Sequence, residues 1–517
     1  MQAICLAFAQ TNDWAVLIEN HLSICRFLLK AYALGQCSFI VIYYLLLYEP
    51  SRDHNVITLK YNSRRLIKVA VLFVASWIPY FILFFPGVSN WDVASEIAQF
   101  FHIRQDFILN LSAVKDPDVF ITNMHPFFDT IIFGSFIKIG LSIFGSAAAG
   151  QTLYSITQMI VTAFMFSGVI IFVEKLTSRR HRWLIWLVAV CPIFAVYSIS
   201  MLKDTLFSLS FLGMVWLLSY VCLMNKDAWK SFRFDLLFCI VALLTMLTKN
   251  QGVYIVAITL PFVLVLFRKY WRQVSVSFFA PILFYVLIWS SIILPLFNVA
   301  PGGKQEAIGF MFQQTSLYVK DHPKDVSEDE KNIIGKILPY EDLPELYNPT
   351  CHDPVKYQYN QESTSQMRRD YYKVWCEMFF KHPGTYFKAL IRSSYGYFYF
   401  DQDSDFIYTK VDNAVDQSSD VYISNSFITE SIRNTIYRII SFIQRIPVIN
   451  IIFSISFYTW LCIFALFLVL YKKKWKCVTF VIPALFSILI YIISPYNANM
   501  RYAMPLIYIR EFPMACN

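Results

Sequence analysis

Long apolar segments alternate with short polar segments along most of the chain. A helix needs a run of about 20 apolar residues to cross the hydrocarbon core of a bilayer. Segments of this kind are found at residues 22–48, 67–85, 127–144, 149–173, 183–200, 205–224, 234–248, 252–267, 274–297, 447–470, 477–494 and 502–514. The pattern predicts an all-α polytopic membrane protein with a bundle of about 10–11 transmembrane helices.

The composition excludes a soluble protein and gives no sign of a nucleic-acid partner. Of the 517 residues, 57% are hydrophobic and 15% are charged, whereas soluble domains carry about 25% charged residues. The net charge is +9. In a membrane protein such an excess is typical of Lys and Arg in cytoplasmic loops, and no basic run suggests a nucleic-acid partner.

The basic residues are concentrated in a few of the polar segments. These are Arg52–Lys68, Lys175–Arg182, Lys226–Arg233, Arg268–Arg272 and Lys472–Lys476. The positive-inside rule predicts that all of them are cytoplasmic. They share one face only if segment 127–144, which carries Asp129 and Lys138, is an interfacial helix that does not span the membrane. The loop after the second apolar segment is then extracytoplasmic.

Three regions follow from this count. Residues 1–297 form an N-terminal transmembrane module whose outer loop is 86–126, residues 298–446 form an extracytoplasmic polar region, and residues 447–517 form the C-terminal transmembrane helices. The polar region is long enough for a small mixed domain and includes two short predicted helices, Glu328–Leu338 and Ser365–His382. Cys351 and Cys376 lie in this region, and spacing alone does not decide whether they pair.

The outer loop contains a short amphipathic helix that begins at Trp91. At 100° per residue, Asp92, Glu96 and Gln99 share one face of this helix. A carboxylate at the rim of a membrane bundle is a candidate general base, and Asp92 is the first choice. The alternative interpretation is a solvated carboxylate, or a cap for the helix that starts after Asn90.

Isolated cations at helix ends on the same face are candidates for anion binding. Lys203, Lys249 and Arg501 each stand in a turn with few other cations. A cation near hydrocarbon costs roughly 2.5–3.5 kcal/mol, so it usually has a partner or a function. Three converging cations favour a lipid phosphate site, whereas snorkelling is the alternative for each one. His125, which precedes Pro126, either caps a helix start or donates to the same phosphate.

The sequence names no certain cofactor and leaves a divalent cation open. Asp401, Asp403 and Asp405 have the spacing of a calcium loop, but Phe406 stands where that loop requires glycine, so a solvated acidic face is favoured. No glycine-rich nucleotide loop and no zinc-ligand spacing is present. An activated donor would therefore come from the lipid.

Taken in order, these residues resemble the GT-C superfamily of integral membrane glycosyltransferases, and in particular its poorly characterised bacterial branch. The matching motifs are Pro86-Gly87, Asp92, Gln99, Asn123-x-His125-Pro126, Lys203-Asp204, Lys249-Asn250-Gln251-Gly252 and Arg501-Tyr502-x-x-Pro505. The order of the motifs and their shared outer-face placement carry the resemblance, which covers most of residues 67–505.

The resemblance implies an enzyme of the cell membrane whose active site faces the extracytoplasmic side. It implies that a sugar moves from a polyprenyl-phosphate donor to a glycan, lipid or protein acceptor of the cell envelope, with Asp92 as the general base. The carrier phosphate would be bound by His125, Lys203, Lys249 and Arg501. Possible substrate contacts are Glu96, Gln99, Asn123, Asp204, Asn250 and Gln314. No paired acidic motif stands beside Asp92, so metal dependence stays open.

Two other functions remain open at this point. A lipid-linked oligosaccharide polymerase or ligase would use histidines in a large outer loop, and His322, His352 and His382 fit that description. A lipid flippase or transporter would show inverted repeats and charges at mid-membrane, whereas the polar residues here lie at the helix ends.

Overall fold

The computed structural model describes residues 1–47, 62–400, 411–424, 430–446, 449–510 and 512. Helices dominate this part of the chain, and its strands are each two residues long. The Asp401–Asp405 stretch and part of the first basic segment lie outside the described residues. The predicted all-α membrane architecture is confirmed.

The helices are named in chain order. The N-terminal part contains α1 (Gln2–Thr11), α2 (Ala15–Ile18), α3 (His21–Leu47), α4 (Ser63–Leu83), α5 (Trp91–Phe100), α6 (Asp106–Leu111), α7 (Phe127–Phe144), α8 (Ala147–Thr177), α9 (Arg182–Val190), α10 (Pro192–Ser198), α11 (Lys203–Leu223), α12 (Phe232–Leu247), α13 (Gly252–Leu266), α14 (Trp271–Leu283) and α15 (Leu294–Leu296). The polar region contains α16 (Gln305–Asp321), α17 (Glu328–Gly335), α18 (Leu343–Leu346), α19 (Asp353–Lys356), α20 (Ser365–Lys381), α21 (Pro383–Arg392) and α22 (Glu430–Gln444). The C-terminal part contains α23 (Ile449–Phe453), α24 (Ile455–Tyr471), α25 (Val478–Ile492) and α26 (Met500–Tyr508).

Six helices of the described chain are long and apolar enough to cross a membrane: Ser63–Leu83, Phe127–Phe144, Ala147–Thr177, Lys203–Leu223, Arg268–Leu296 and Trp475–Ile492. The count of about 10–11 spans therefore stays a prediction. One reason for the difference is that predicted segment 183–200 is divided into α9 and α10 at Pro192, whose ring nitrogen has no hydrogen to donate within a helix.

The packing of α4 against α8 defines two ends of the bundle. At one end, Arg65 Nη2 lies 2.6 Å from Glu174 Oε1. At the other end, Ser155 Oγ donates to the Ile199 carbonyl at 3.0 Å. Gly87 has a φ of +131°, and a Cβ there would lie 2.1 Å from Ser155 Oγ, so the chain can turn there only with glycine. The two helices therefore run antiparallel.

The basic segments gather at the Arg65 end, which we call the basic end. Helices α8 and α11 run parallel. Ser155 of α8 contacts Ile199, which precedes α11, and Gly168, later in α8, packs against Trp216, later in α11. At the end of α11, Cys222 Sγ lies 3.1 Å from the Lys476 carbonyl. The Lys476 ammonium in turn sits over the Phe267 ring. These contacts bring the described basic segments to one end of the bundle, and their cytoplasmic location stays a prediction.

Helix α7 starts at the opposite end from the basic segments and stays near it. A Cβ on Gly140 of α7 would lie 2.2 Å from the Gly150 nitrogen, so these helices touch backbone to backbone. Tyr154 packs edge-on against Phe133 of α7. Gly150 and Tyr154 of α8 lie N-terminal to Ser155, which contacts Ile199 and the turn at Gly87. Helix α7 is long and apolar enough to cross a membrane, so its interfacial placement stays a prediction.

The polar region packs a core of its own. Its buried apolar side chains come from α16 through α21 and include Phe312, Tyr318, Ile334, Leu343, Val355, Tyr371, Met378 and Tyr386. Helices α17 and α20 match the two predicted short helices, and each begins with a capping box, at Ser327 and Thr364. Cys351 and Cys376 are free thiols in the structure, so the disulfide considered from the sequence is not formed.

Candidate active site

A short parallel strand pair brings the predicted base next to a predicted phosphate ligand. Strand β1 (Val88–Ser89) pairs with β3 (Ser200–Met201). Asp92 follows β1 in the first turn of α5, and Lys203 follows β3 at the start of α11. The Lys203 Nζ lies 3.1 Å from the Asp92 Oδ2 as a result. Parallel register thus aligns two helix N-termini side by side.

Arg501 reaches the same carboxylate from the far end of the chain. The side chain of Asn499 accepts from the Arg501 backbone nitrogen at 3.1 Å and caps the start of α26. Arg501 Nη1 then donates to Asp92 Oδ2 at 3.2 Å, and Arg501 Nε lies 3.8 Å from Asp204 Oδ2. Asp92 is therefore paired with two cations from separate helices.

Lys249 and Asp204 form a buried ion pair behind this contact. Lys249 Nζ lies 2.8 Å from Asp204 Oδ1, and the side chains are 11% and 2% exposed. Lys249 stands in a tight turn, where the Gly252 nitrogen donates to the Lys249 carbonyl at 2.7 Å. A Cβ on Gly252 would lie 2.0 Å from the Thr245 oxygen, so the turn needs glycine. The pair supports Arg501 from within the bundle.

His125 is placed beside Lys203 by a second strand pair. Strand β2 (Ile121–Thr122) pairs in parallel with β4 (Val299–Ala300), and His125 follows β2. Lys203 Nζ contacts His125 Nδ1. Burial, followed by the charge of Lys203, lowers the pKa of His125 to about 3. An ammonium can only donate, so Nδ1 is the acceptor and the neutral ring carries its proton on Nε2.

Asp92 is ionised and open to a ligand. Its side chain is 25% exposed, which is more than the exposed fraction of Lys203, Arg501 or Asp204. Burial acts to raise the pKa of Asp92, but the neighbouring charges of Lys203 and Arg501 hold it well below its usual range. Such a carboxylate is a weak base while both cations remain paired with it.

Two further carboxyl groups lie deeper in the same site. Glu96 and Asp129 are 1% and 0% exposed, and their carboxyl oxygens lack hydrogen-bond partners among the described residues. Burial raises the pKa of Glu96 to about 8; the carboxylates of Asp92 and Asp204 add to the rise, and Lys203 opposes it. Asp129 entered the sequence argument only as a reason against a span, and its place beside Glu96 was missed because it depends on the packing of α5 against α7.

Most of the predicted substrate contacts are engaged in internal hydrogen bonds. Gln99 Oε1 accepts from the Thr122 nitrogen at 2.9 Å, and Asn250 Nδ2 donates to the Asn123 carbonyl at 3.1 Å. Gln314 Nε2 donates to a backbone carbonyl of the polar region at 3.3 Å. These bonds position the loops around the site, and direct contact of these residues with a substrate stays a prediction.

The Asp92 carboxylate is paired with Lys203 and Arg501, and two cations at this distance oppose a metal ion on the same carboxylate. Among the described residues, the His, Cys, Asp or Glu side chains close enough together to hold a metal are His322, Asp325 and His382 of the polar region. They do not belong to this site.

The fold and the site together define an α-helical membrane protein with a charged cluster at one end of its helix bundle. The chain belongs to the family described as "Family of unknown function (DUF6020)", which matches residues 47–515. No curated protein and no solved structure matches it.

Proposed function

We propose that the protein is a GT-C-type glycosyltransferase that moves a sugar from a polyprenyl-phosphate donor to a cell-envelope acceptor. The observation that carries the proposal is the convergence of Asp92, Lys203 and Arg501, which are far apart in sequence. A partly exposed carboxylate beside two cations offers both a base and an anion site. These are the groups that transfer from a lipid phosphate requires.

The charge distribution supports an extracytoplasmic active site. The basic segments share the basic end, and the positive-inside rule assigns such segments to the cytoplasm. The charged cluster lies at the other end of α4, α8 and α11. The site would therefore face the outer leaflet of the cell membrane, where a polyprenyl-phosphate headgroup would be within reach.

Donor binding would activate Asp92. Before binding, the carboxylate of Asp92 neutralises Lys203 and Arg501. A lipid phosphate competes for both cations because it accepts charge-assisted hydrogen bonds from ammonium and guanidinium groups. As the cations turn to the phosphate, the pKa of Asp92 rises and the carboxylate becomes a better base. The site thus gains its base when the donor is present.

Transfer then follows as a single displacement. Asp92 takes the proton from an acceptor hydroxyl, and the hydroxyl oxygen bonds to the anomeric carbon. The bond between that carbon and the phosphate oxygen breaks, and the electron pair leaves with the phosphate. Lys203, Arg501 and the Nε2 hydrogen of neutral His125 stabilise the leaving phosphate. Preorganised donors of this kind contribute several kcal/mol to the transition state, on the order of 3–4 kcal/mol for one donor.

Lys249 and Asp204 have a positioning role in this proposal. Lys249 was predicted to bind phosphate directly, but its ammonium is buried against Asp204. It also lies over the Phe207 and Tyr502 rings, at 5.2 and 5.5 Å from their centroids. The pair holds Arg501 in place and leaves direct phosphate contact to Lys203 and Arg501.

The polymerase alternative has less support in the structure. Of His322, His352 and His382, which favoured it, His322 and His382 stack on each other in the polar region. They follow the C-terminal ends of α16 and α20. The contact of α16 with the outer loop is made at its other end, by Gln305. The histidines do not join the charged cluster.

The test is a transfer assay with the purified full-length chain in lipid nanodiscs. A radiolabelled polyprenyl-phosphate hexose and the matching nucleotide sugar are compared as donors, with membranes of the source cell as acceptor. We expect transfer from the lipid donor only, and a loss of about 10²–10⁴-fold in Asp92→Asn. Asp106→Asn, an exposed carboxylate of the same loop, is the matched control. Equal transfer by Asp92→Asn and Asp106→Asn would refute the assignment.

A further inference from the structure

Two helices of the polar region end in histidines that stack on each other. His322 follows α16 and His382 follows α20, and their ring centroids are 3.8 Å apart with planes inclined by 6°. Asp325 lies on the short turn after His322, and its Oδ2 is 2.8 Å from His382 Nε2. One ligand atom from each of the three residues lies within 4.8 Å of the other two.

We propose that His322, Asp325 and His382 bind a divalent transition-metal ion of the zinc class. Imidazole nitrogens and a carboxylate oxygen bind zinc at about 2.0–2.2 Å. The three ligand atoms are close enough to share one ion, provided that the stacked imidazole rings turn so that each points a nitrogen at it. Three protein ligands leave one position for water. Calcium and magnesium prefer oxygen ligands, so two imidazoles select against them.

The surroundings of the three side chains favour a cation. The nearby lysines are already neutralised: Lys381 Nζ lies 2.7 Å from Glu330 Oε1, and Lys388 pairs with both Asp13 and Asp321. These lysines therefore offer little repulsion to a metal ion.

Two groups next to the histidines support a built site. Tyr318 is fully buried with its ring centroid 5.5 Å from each imidazole, and its hydroxyl has no hydrogen-bond partner among the described residues. The Thr385 hydroxyl lies 2.8 Å from His322 Nε2. A hydrogen bond of this kind orients a ligating imidazole from outside the metal shell.

The metal would be a structural clamp that is separate from the charged cluster. Helix α16 has 17 residues, a length of about 25 Å at 1.5 Å per residue. Gln305 at its start contacts the outer loop through the Leu111 carbonyl, and His322 follows its end. An ion at His322 would join the end of α16 to the junction of α20 and α21, and it would be required neither for phosphate binding nor for proton transfer at Asp92.

The test uses the full-length chain in detergent, with any affinity tag removed and metals stripped by a chelator. Zinc loading is measured by elemental analysis, and cobalt binding is followed by visible absorption. We expect one ion per chain and a midpoint of thermal unfolding that rises with zinc but not with magnesium or calcium. Asp325→Asn changes an exposed side chain and should fold normally. This substitution should weaken zinc binding by at least about tenfold, because even the loss of a residue that only hydrogen-bonds to a metal ligand weakens metal binding about 10–100-fold.

His102→Asn is the matched control, because His102 is exposed and lies in the outer loop. It should load zinc as the wild type does. Loading well below one ion per chain in the wild type, or equal affinity in the wild type and Asp325→Asn, would overturn the proposal. His382→Gln gives a second check, since it removes an imidazole and keeps a side chain able to hydrogen-bond Asp325.

Discussion

The two ends of the helix bundle carry charge in different ways. At the basic end the cations stand at the surface: Lys175, Lys226, Arg268 and Lys472 are all exposed. At the site end the side chains of Lys203, Lys249 and Arg501 are only 16%, 11% and 11% exposed. The cations of the site end are paired with Asp92 and Asp204 from other helices. At the basic end, Arg65 is paired with Glu174 in the same way.

The difference teaches that the two sets of cations serve different purposes. Exposed cations at helix ends can meet lipid headgroups or water at little cost. Cations withdrawn from water are costly unless they are paired, and their pairing here depends on the whole fold. In the proposed function, the site end holds charge for a ligand and the charge of the basic end sets the orientation of the chain in the membrane.

The largest loss of stability is expected when the buried ion pair between Lys249 and Asp204 at the site end is broken. Asp204→Ala leaves the Lys249 ammonium without its partner, and loss of one member of a buried pair costs about 3–5 kcal/mol. Denaturant unfolding in detergent measures this loss. The double variant Asp204→Ala, Lys249→Met removes both charges and should recover part of the stability. A double variant no more stable than Asp204→Ala would contradict the buried-pair interpretation.

A smaller effect is expected for the ion pair of the basic end. Glu174 accepts from Arg65 Nε and Nη2 at 3.0 and 2.6 Å, but the Arg65 side chain is 23% exposed and can reach water. Glu174→Gln should cost about 1–3 kcal/mol, the range for weakening hydrogen bonds to a charged group. The same unfolding measurement applies. A loss equal to that of Asp204→Ala would remove the distinction between the two ends.

The smallest change in stability at neutral pH is expected for a substitution of Glu96. Because burial raises the pKa of Glu96 to about 8, the folded state holds a proton that the unfolded state loses near pH 4.3. This contribution to stability is complete below that pH and is lost as the pH rises through about 8. His125 acts in the opposite direction, but only below about pH 6.5, because its folded pKa is lowered to about 3.

Between pH 6.5 and 8.5 the contribution of Glu96 to stability therefore changes, whereas that of His125 does not. The wild-type midpoint of thermal unfolding should fall across this window, and Glu96→Gln should flatten the fall while changing little at pH 7. Asp106→Asn again serves as the control and should keep the wild-type slope. An unchanged slope in Glu96→Gln would show that Glu96 is ionised in the folded protein.

Local patterns in the sequence predicted several of the helices and which residues lie at each end of the bundle. Apolar length predicted α4, α8 and α11, and charge bias separated Lys203 and Arg501 from the basic segments. The predicted short helices Glu328–Leu338 and Ser365–His382 correspond to α17 and α20.

Pairings between distant residues could not be predicted in the same way. The strand pairs that align Asp92 with Lys203 are two residues long, too short for an alternating pattern. The burial of Lys249 against Asp204 depends on how α11 meets the turn after α12. The stacking of His322 on His382 likewise depends on the fold of the polar region and not on spacing.

The central claim is that Asp92 and a lipid phosphate compete for the same cations, and one measurement tests it most directly. Binding of radiolabelled polyprenyl monophosphate is measured for the wild type, Asp92→Asn and Arg501→Met in nanodiscs, with Lys175→Gln of the basic end as the control. Asp92→Asn should bind the lipid at least as tightly as the wild type, because its cations are released. Arg501→Met should bind about 10–100-fold more weakly, given about 1.5–3 kcal/mol for a charge-assisted hydrogen bond. Equal weakening in both variants, or none in Arg501→Met, would contradict the account.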